Sequence, residues 1–122
     1  MNDIRLYHRD IYMPHVISEH VWKLNMSQIE ISKHAHDKAS ERDIYIFLPD
    51  LYHIEGKHIV EAELIDGLLT KIVVRKSYGL SQDICYVLRW DMMKQRLVLI
   101  TVWLNAKLDD HSTLDASKYE KE

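Results

Sequence analysis

The chain has 122 residues, of which 47% are hydrophobic and 29% are charged, with three glycines and two prolines. These values are typical of one folded domain and exclude a disordered chain or a pair of ordinary domains. The net charge of -3 argues against a broad basic surface that binds nucleic acid through bulk charge. The excess acid lies at the two ends, and residues 33–107 carry eleven basic against ten acidic side chains, which allows a small phosphate site.

No stretch of the chain approaches the roughly 18 consecutive apolar residues of a membrane-spanning helix, and no long apolar run follows the first residues. Cys85 is the single cysteine, so no intrachain disulfide can form. It lies inside the strand-like run 84–88, where a buried apolar role is more common than a catalytic one. We therefore expect a cytoplasmic protein with no membrane partner.

The sequence pattern divides the chain into three parts. Residues 1–26 form an N-terminal extension, residues 27–108 an α+β domain, and residues 109–122 a polar, acidic C-terminal tail. Within the extension, Pro14 and the apolar spacing after it predict an amphipathic helix over residues 15–24. The apolar positions of that helix are Val16, Ile17, Val21 and Leu24.

A short polar helix is expected near the start of the α+β domain. Ser32 is a good N-cap, and residues 33–42 follow it with two alanines four positions apart, Ala35 and Ala39, as a small inward stripe. Residues 44–48 are a short apolar run that fits either a strand or the start of another helix.

The later part of the domain has the pattern of consecutive strands. Residues 58–65 alternate, Asp66-Gly67 is a two-residue hairpin turn, and residues 68–76 form the return strand. Two more strands follow at 83–90 and 96–104, and the last is nearly all apolar, as a strand covered on both faces should be. The expected fold class is α+β, with short N-terminal helices packed on a four-stranded antiparallel meander sheet.

Eight histidines raise the question of a metal site, because neutral imidazole is a common metal ligand. The pair His34 and His36 does not favour one, since residues two apart on a helix point about 200° from each other. No cysteine partner and no His-x-x-x-His pair accompanies them. We expect no metal and no cofactor, and solvated or helix-capping roles for most of the histidines.

Metal-independent phosphodiester cleavage is a second chemistry that the side chains allow. It needs a base, an acid and groups that stabilise charge on the phosphate. His34 and His111 could act as acid and base because histidine titrates near neutral pH, and Arg42 and Arg75 could hold the phosphate. Lys71 shares a strand face with Arg75, although such charges on a sheet are more often solvated or ion-paired.

The motifs together resemble a known group of proteins. They are His34-Ala35-x-x-Lys38-x-x-Glu41-Arg42-x-Ile44, the strand Val73-Val74-Arg75, and Thr101-Val102-Trp103 followed by a polar tail. The run resembles small bacterial and phage domains of unknown function linked to RelE-like toxins, in the barnase, EndoU, colicin and RelE superfamily of small ribonucleases. The resemblance implies a helix on a four-stranded sheet, RNA cleavage without metal, and a cognate inhibitor protein.

The resemblance also implies site residues. His34 and Arg42 match the helix motif, Arg75 matches the sheet arginine, and the polar end of the last strand offers Asn105 and His111. The implied catalytic residues are His34, Arg42, Arg75 and His111. The implied substrate-binding residues are Lys38, Lys71 and Asn105.

Two functions from different classes follow from the sequence. The first is a small RelE-like, metal-independent ribonuclease or toxin-like RNA-binding domain, with RNA and an inhibitor protein as partners. The alternative is a non-catalytic phage-type protein that binds and inhibits a host protein through the helix of residues 1–26 and the acidic tail at 109–122.

Overall fold

The structure is a computed structural model that describes residues 3–9, 13–15, 17 and 28–106. The strands in this part of the chain are β1 (Ile4–His8), β2 (Ile29–Ile31), β3 (Ile59–Ile65), β4 (Leu68–Tyr78), β5 (Gln82–Asp91) and β6 (Arg96–Ala106). This part of the chain also contains the helices α1 (Lys33–Glu41) and α2 (Pro49–Tyr52). Gly56–His58 form a 3-10 turn just before β3.

The described strands form one six-stranded sheet in the order β1-β3-β4-β5-β6-β2. Neighbouring strands are antiparallel except β2 and β6, which run parallel with Ile29 opposite Leu97 and Ile31 opposite Leu99. The expected fold class is therefore wrong. Short N-terminal helices packed on a four-stranded antiparallel meander were expected, whereas the described chain forms a larger, mixed sheet with two short helices.

The two strands beyond the four of the predicted meander lie at the two edges of the sheet. β1 comes from the part of the chain expected to be an extension, and its five residues all pair with β3. β2 has three residues and pairs with a strand far along the chain. Strands this short have too little alternation to distinguish them from loops, so their pairing in the assembled sheet defines them.

One face of the sheet carries the main hydrophobic core, and α1 packs on it through Ala35 and Ala39. Ser32 caps α1, as predicted, by accepting a hydrogen bond from the Ala35 N–H at 3.1 Å. The Ser32 N–H donates to the Leu99 carbonyl at 3.1 Å, so α1 starts directly against β6. Strand residues buried in this core include Leu64, Ile72, Val74, Ile84, Tyr86, Leu88, Leu97, Leu99 and Val102.

The opposite face of the sheet, which we call the second face, also buries apolar side chains. Val73, Cys85 and Val87 form a smaller buried cluster there, and Ile100 and Trp103 pack partly buried against it. Because side chains alternate along a strand, these residues interleave with members of the main core. β6 is nearly all apolar for this reason: it contributes to the clusters on both faces.

Local turn chemistry accounts for the connections around β3. Asp66 and Gly67 have φ values of 52° and 80°, and they join β3 to β4 in the hairpin that the sequence predicted.

Residues 44–48, between α1 and α2, are neither strand nor helix. Asp43, with a φ of 56°, turns the chain at the end of α1, and a new helix begins only at Pro49.

Two predicted segments fall largely beyond the described residues. The helix at 15–24 lies outside them except for His15 and Ile17, of which Ile17 is buried in the main core. The tail at 109–122 lies outside them entirely. Of the helices that the structure describes, none has the length and apolar character needed to cross a membrane.

Candidate functional site

A group of buried polar residues lies on the second face at one end of the sheet. Arg75 of β4 and Asp83 of β5 form an ion pair with 2.9 Å between Nε and Oδ2, and only 6% and 18% of their side chains are exposed. Arg75 Nη2 also donates to the carbonyl of Ala106, at the end of β6, at 2.8 Å. Asn105 is buried beside them, and its Nδ2 donates to Cys85 Sγ at 3.8 Å.

Strand register brings these four side chains together. Arg75 is opposite Cys85, and Asp83 is opposite Asn105, in the antiparallel pairs β4–β5 and β5–β6. Residues two apart on a strand share a face, so Asp83 and Cys85 both point to the second face with Arg75 and Asn105. Three neighbouring strands therefore hold the group, which makes its geometry rigid.

The polar character of the second face continues across β3 and β1. Glu61 and His8 are directly opposite each other in the β1–β3 register. Glu61 is fully buried and His8 is 7% exposed, and both interact with other groups of the protein. Burying a carboxylate is costly unless other groups satisfy it, so this part of the face is a polar interior rather than a solvated surface.

A cleft with a volume of about 380 Å³ opens where the buried polar group reaches the end of the sheet. It lies where β4 ends and β5 begins, next to the residue that follows β1 and the turn that precedes β3. Its lining contains three cationic side chains, two carboxylates, an imidazole and a hydroxyl. They belong to Arg9, Arg75, Lys76, Asp50, Asp83, His58 and Ser77.

His58 enters the cleft lining with its imidazole engaged on one side. His58 Nδ1 accepts a hydrogen bond from the Glu55 N–H at 3.0 Å, so Nδ1 carries no proton and the neutral ring is protonated on Nε2. Burial, and next the ammonium of Lys76, lower the pKa of His58 below its ordinary value of 6.5. At neutral pH His58 is therefore an uncharged hydrogen-bond donor through Nε2.

Two hydrogen bonds hold the α2 side of the cleft. The Tyr86 hydroxyl donates to Asp50 Oδ2 at 3.0 Å, and burial followed by the charge of Asp50 raises the pKa of Tyr86. Lys76 Nζ donates to the His53 carbonyl at 2.6 Å. An ammonium has three N–H groups, so this contact uses one of the donors of Lys76.

Cys85 has no nucleophilic role in this geometry. Burial raises the pKa of its thiol to about 11, although nearby Arg75 acts in the opposite direction. The thiolate is the nucleophilic form of cysteine, and it is a very small fraction of Cys85 at neutral pH. The side chain serves as a buried acceptor for Asn105 and as part of the apolar cluster on the second face.

Of the site residues predicted from the sequence, Arg75 and Asn105 lie together in the polar group. Lys71 is on the same face, four residues before Arg75 on β4, and it is opposite Glu63 and Arg89 in the sheet register. It is half-buried and outside the lining of the cleft. The strand thus separates Lys71 from Arg75 along the face, with Val73 between them.

The other predicted site residues are elsewhere. His34, Lys38 and Arg42 belong to α1 or its C-terminal cap, on the main-core side of the sheet. His34 is exposed, Lys38 forms an ion pair within α1, and the Arg42 guanidinium donates to a main-chain carbonyl of β6. The sheet lies between these three residues and Arg75, and His111 lies outside the described residues.

Six of the seven residues that line the cleft were not predicted from the sequence: Arg9, Asp50, His58, Lys76, Ser77 and Asp83. A signal for Asp83 was present, because the short connection from β4 to β5 sets Arg75 opposite Cys85 and leaves Asp83 as its diagonal neighbour. Arg9 and His58 gave no comparable signal. Their positions depend on the pairing of β1 with β3, which no local pattern indicates.

The chemistry available in the cleft is anion binding with nearby proton-carrying groups. Arginine and lysine bind phosphate and carboxylate oxygens, and arginine does so with a planar fork of donors. Among the described residues, no group of three or more histidine, cysteine, aspartate or glutamate side chains is arranged to hold a metal ion. Comparisons with family models, curated proteins and solved structures found no match for this chain.

Proposed function

We propose that this chain is a small RelE-like, metal-independent ribonuclease or toxin-like RNA-binding domain, and that the cleft binds a phosphate of the RNA. The observation that supports this function is the convergence of Arg9, Arg75 and Lys76 on one cleft. Asp83 and the end of β6 hold the Arg75 guanidinium in one orientation. A cation held in place before the substrate arrives stabilises charge without reorganising.

In the proposed reaction, the ribose 2′-oxygen bonds to phosphorus and the bond from phosphorus to the 5′-oxygen breaks. The attacking hydroxyl loses its proton to a base, and the leaving oxygen gains one from an acid. Arg75 and Lys76 stabilise the charge on the phosphate oxygens. Of the two carboxylates that line the cleft, Asp50 is the proposed proton acceptor, because Asp83 is paired with Arg75.

His111 is the proposed further acid or base, because histidine titrates near neutral pH. β6 ends at Ala106, whose carbonyl accepts a hydrogen bond from Arg75. His111 lies outside the described residues, and its role is proposed from its residue type.

The test is cleavage of a labelled RNA by the purified full chain with excess chelator present. We expect products with a cyclic phosphate end, and rates about a hundredfold lower for Arg75→Lys and Lys76→Gln. Arg89→Gln and Lys94→Gln are matched controls, because they remove exposed cations outside the cleft lining. Thermal unfolding of each variant separates a lost site from a lost fold.

Two outcomes would overturn the proposal. RNA that stays intact at high protein concentration excludes the nuclease, and RNA that neither binds nor is cut excludes the RNA-binding domain as well. The variant His34→Ala tests whether the active site lies on α1 or in the cleft. Cleavage that is lost in His34→Ala and unchanged in Arg75→Lys would assign the site to α1 instead of the cleft.

A further inference from the structure

Four large apolar side chains are exposed within a single eight-residue segment after α1. This aromatic ridge consists of Tyr45, Phe47, Leu48 and Tyr52, which are 71%, 47%, 39% and 45% exposed. Phe47 is the only phenylalanine of the chain. Scattered exposed apolar residues are ordinary, but several adjacent ones that include three aromatic rings mark a binding surface.

The backbone of the aromatic ridge is anchored to the fold. The Tyr45 N–H donates to the Tyr78 hydroxyl at 3.1 Å, and the Asp50 N–H donates to the Phe47 carbonyl at 3.0 Å. Leu51, between the ridge residues in sequence, is fully buried in the main core. The exposed rings are therefore presented from a fixed backbone.

The rings of Tyr45 and Phe47 contact each other edge to face, with centroids 6.5 Å apart and an angle of 64° between their planes. An edge-to-face pair uses the edge of one ring and one face of the other, so flat ring surface stays open to a further stacking partner. The high exposure of Tyr45 agrees with an open face.

The aromatic ridge borders the cleft. Asp50 lines the cleft and lies between Phe47 and Tyr52 in sequence. Lys76 also lines the cleft and donates to the carbonyl of His53, the residue after Tyr52. The chain segment that carries the exposed rings therefore also contributes Asp50 to the wall of the cleft.

We propose that the aromatic ridge stacks the unpaired bases of single-stranded RNA whose phosphate occupies the cleft; this inference rests on the proposed function. Flat, neutral bases and charged phosphates alternate along such a strand. The bases can stack on the exposed rings of the ridge while a phosphate contacts the cations of the cleft. Aromatic side chains that stack bases beside a cationic groove are the usual means of binding single strands without sequence preference. Bases inside a duplex already stack on each other and do not engage the ridge.

The test is fluorescence anisotropy with a short single-stranded 2′-O-methyl RNA, which binds but cannot be cleaved because its 2′-hydroxyl is blocked. Two further probes are the same strand in a duplex and the same backbone without bases. The protein variants are Tyr45→Ala, Phe47→Ala and the ring-preserving Tyr45→Phe. Leu80→Ala and Met93→Ala serve as controls, since these residues are 99% and 93% exposed and lie outside the ridge.

We expect each ridge alanine variant to weaken binding of the single strand roughly tenfold and to leave binding of the base-free backbone unchanged. Tyr45→Phe and the two controls should bind as the unaltered chain does, and the duplex should bind more weakly than the single strand.

The inference is overturned if the ridge variants bind the single strand normally while Lys76→Gln weakens that binding. In that case the proposed function survives. If no probe binds, the proposed function fails as well. Self-association of the chain that the ridge variants abolish, with RNA binding intact, would instead assign the ridge to a second copy.

Discussion

Arg75 and Asp83 form a buried ion pair across β4 and β5, with Arg75 Nε 2.9 Å from Asp83 Oδ2. Each side chain is more than four-fifths buried, so removing Asp83 takes an ionic partner away from a guanidinium in the interior. We expect Asp83→Ala to lower the free energy of unfolding by about 3 kcal/mol, measured by urea denaturation at neutral pH.

The exposed pair of Lys33 and Asp37 on α1 is the control for this prediction. Its Nζ and Oδ2 are 3.0 Å apart, but both side chains are more than half exposed. Solvent-exposed pairs contribute less than about 1 kcal/mol, so Asp37→Ala should change the free energy of unfolding by less than that. Equal losses at Asp37 and Asp83 would show that burial does not govern the Arg75 pair.

His58 makes stability depend on pH. Burial and then Lys76 lower the pKa of the folded-state imidazole below 6.5, so between the two pKa values the unfolded chain binds more protons than the folded chain. The contribution of His58 to the free energy of unfolding is complete above about pH 6.5, and it is lost as the pH falls through the lower folded-state pKa. Urea denaturation at a series of pH values should show stability falling over this range.

Substitution of His58 tests the origin of that pH dependence. His58→Asn should reduce the loss of stability on acidification, because the group that takes up the proton is gone. His36→Asn removes an exposed histidine of α1 and is the matched control. A pH profile that His58→Asn leaves unaltered would assign the acid sensitivity to other groups.

The Cys85 thiol should resist alkylation in the folded protein. Its pKa of about 11 and its burial leave almost no accessible thiolate at pH 8. Reaction with iodoacetamide, followed by mass spectrometry, should be slow without denaturant and fast in guanidinium chloride. Rapid modification without denaturant would mean that the second face opens readily around Cys85.

Tyr86 anchors α2 through its hydroxyl, which donates to Asp50 Oδ2 at 3.0 Å. Tyr86→Phe removes this hydrogen bond to a carboxylate, and we expect the free energy of unfolding to fall by about 1.5 kcal/mol. Tyr52→Phe, at an exposed tyrosine of α2, should change the free energy of unfolding by less than about 0.5 kcal/mol. Circular dichroism during thermal unfolding measures the stability of both variants. Similar losses for Tyr86→Phe and Tyr52→Phe would contradict the anchoring role of Tyr86.

Features that depend on neighbouring residues were predictable. The cap of α1 by Ser32 is present, and so is the hairpin turn at Asp66-Gly67. In each case a few consecutive residues favour one backbone conformation strongly enough to specify it: a side-chain oxygen that accepts an N–H, or a residue that tolerates positive φ. The apolar run of β6 likewise indicated a strand buried on both faces.

The composition of the candidate site followed from the sequence only in part. Arg75 and Asn105 were identified, and the structure brings them together through Asp83 and Cys85. His34 was equally suited by residue type, but α1 packs on the opposite face of the sheet from Arg75. Residue type indicates what a side chain can do, whereas the face on which it lies depends on packing.

By itself, then, the sequence determined the local turns, the capped helix and the strand pattern of β6, since these depend on contacts within a few residues. Only the tertiary structure decided that β1 and β2 complete a mixed sheet and that Arg9, His58 and Arg75 meet at one cleft. Those features depend on pairing between segments far apart in the chain. The free energy of such pairing comes from burial and register across the whole sheet, and no short stretch of sequence contains it.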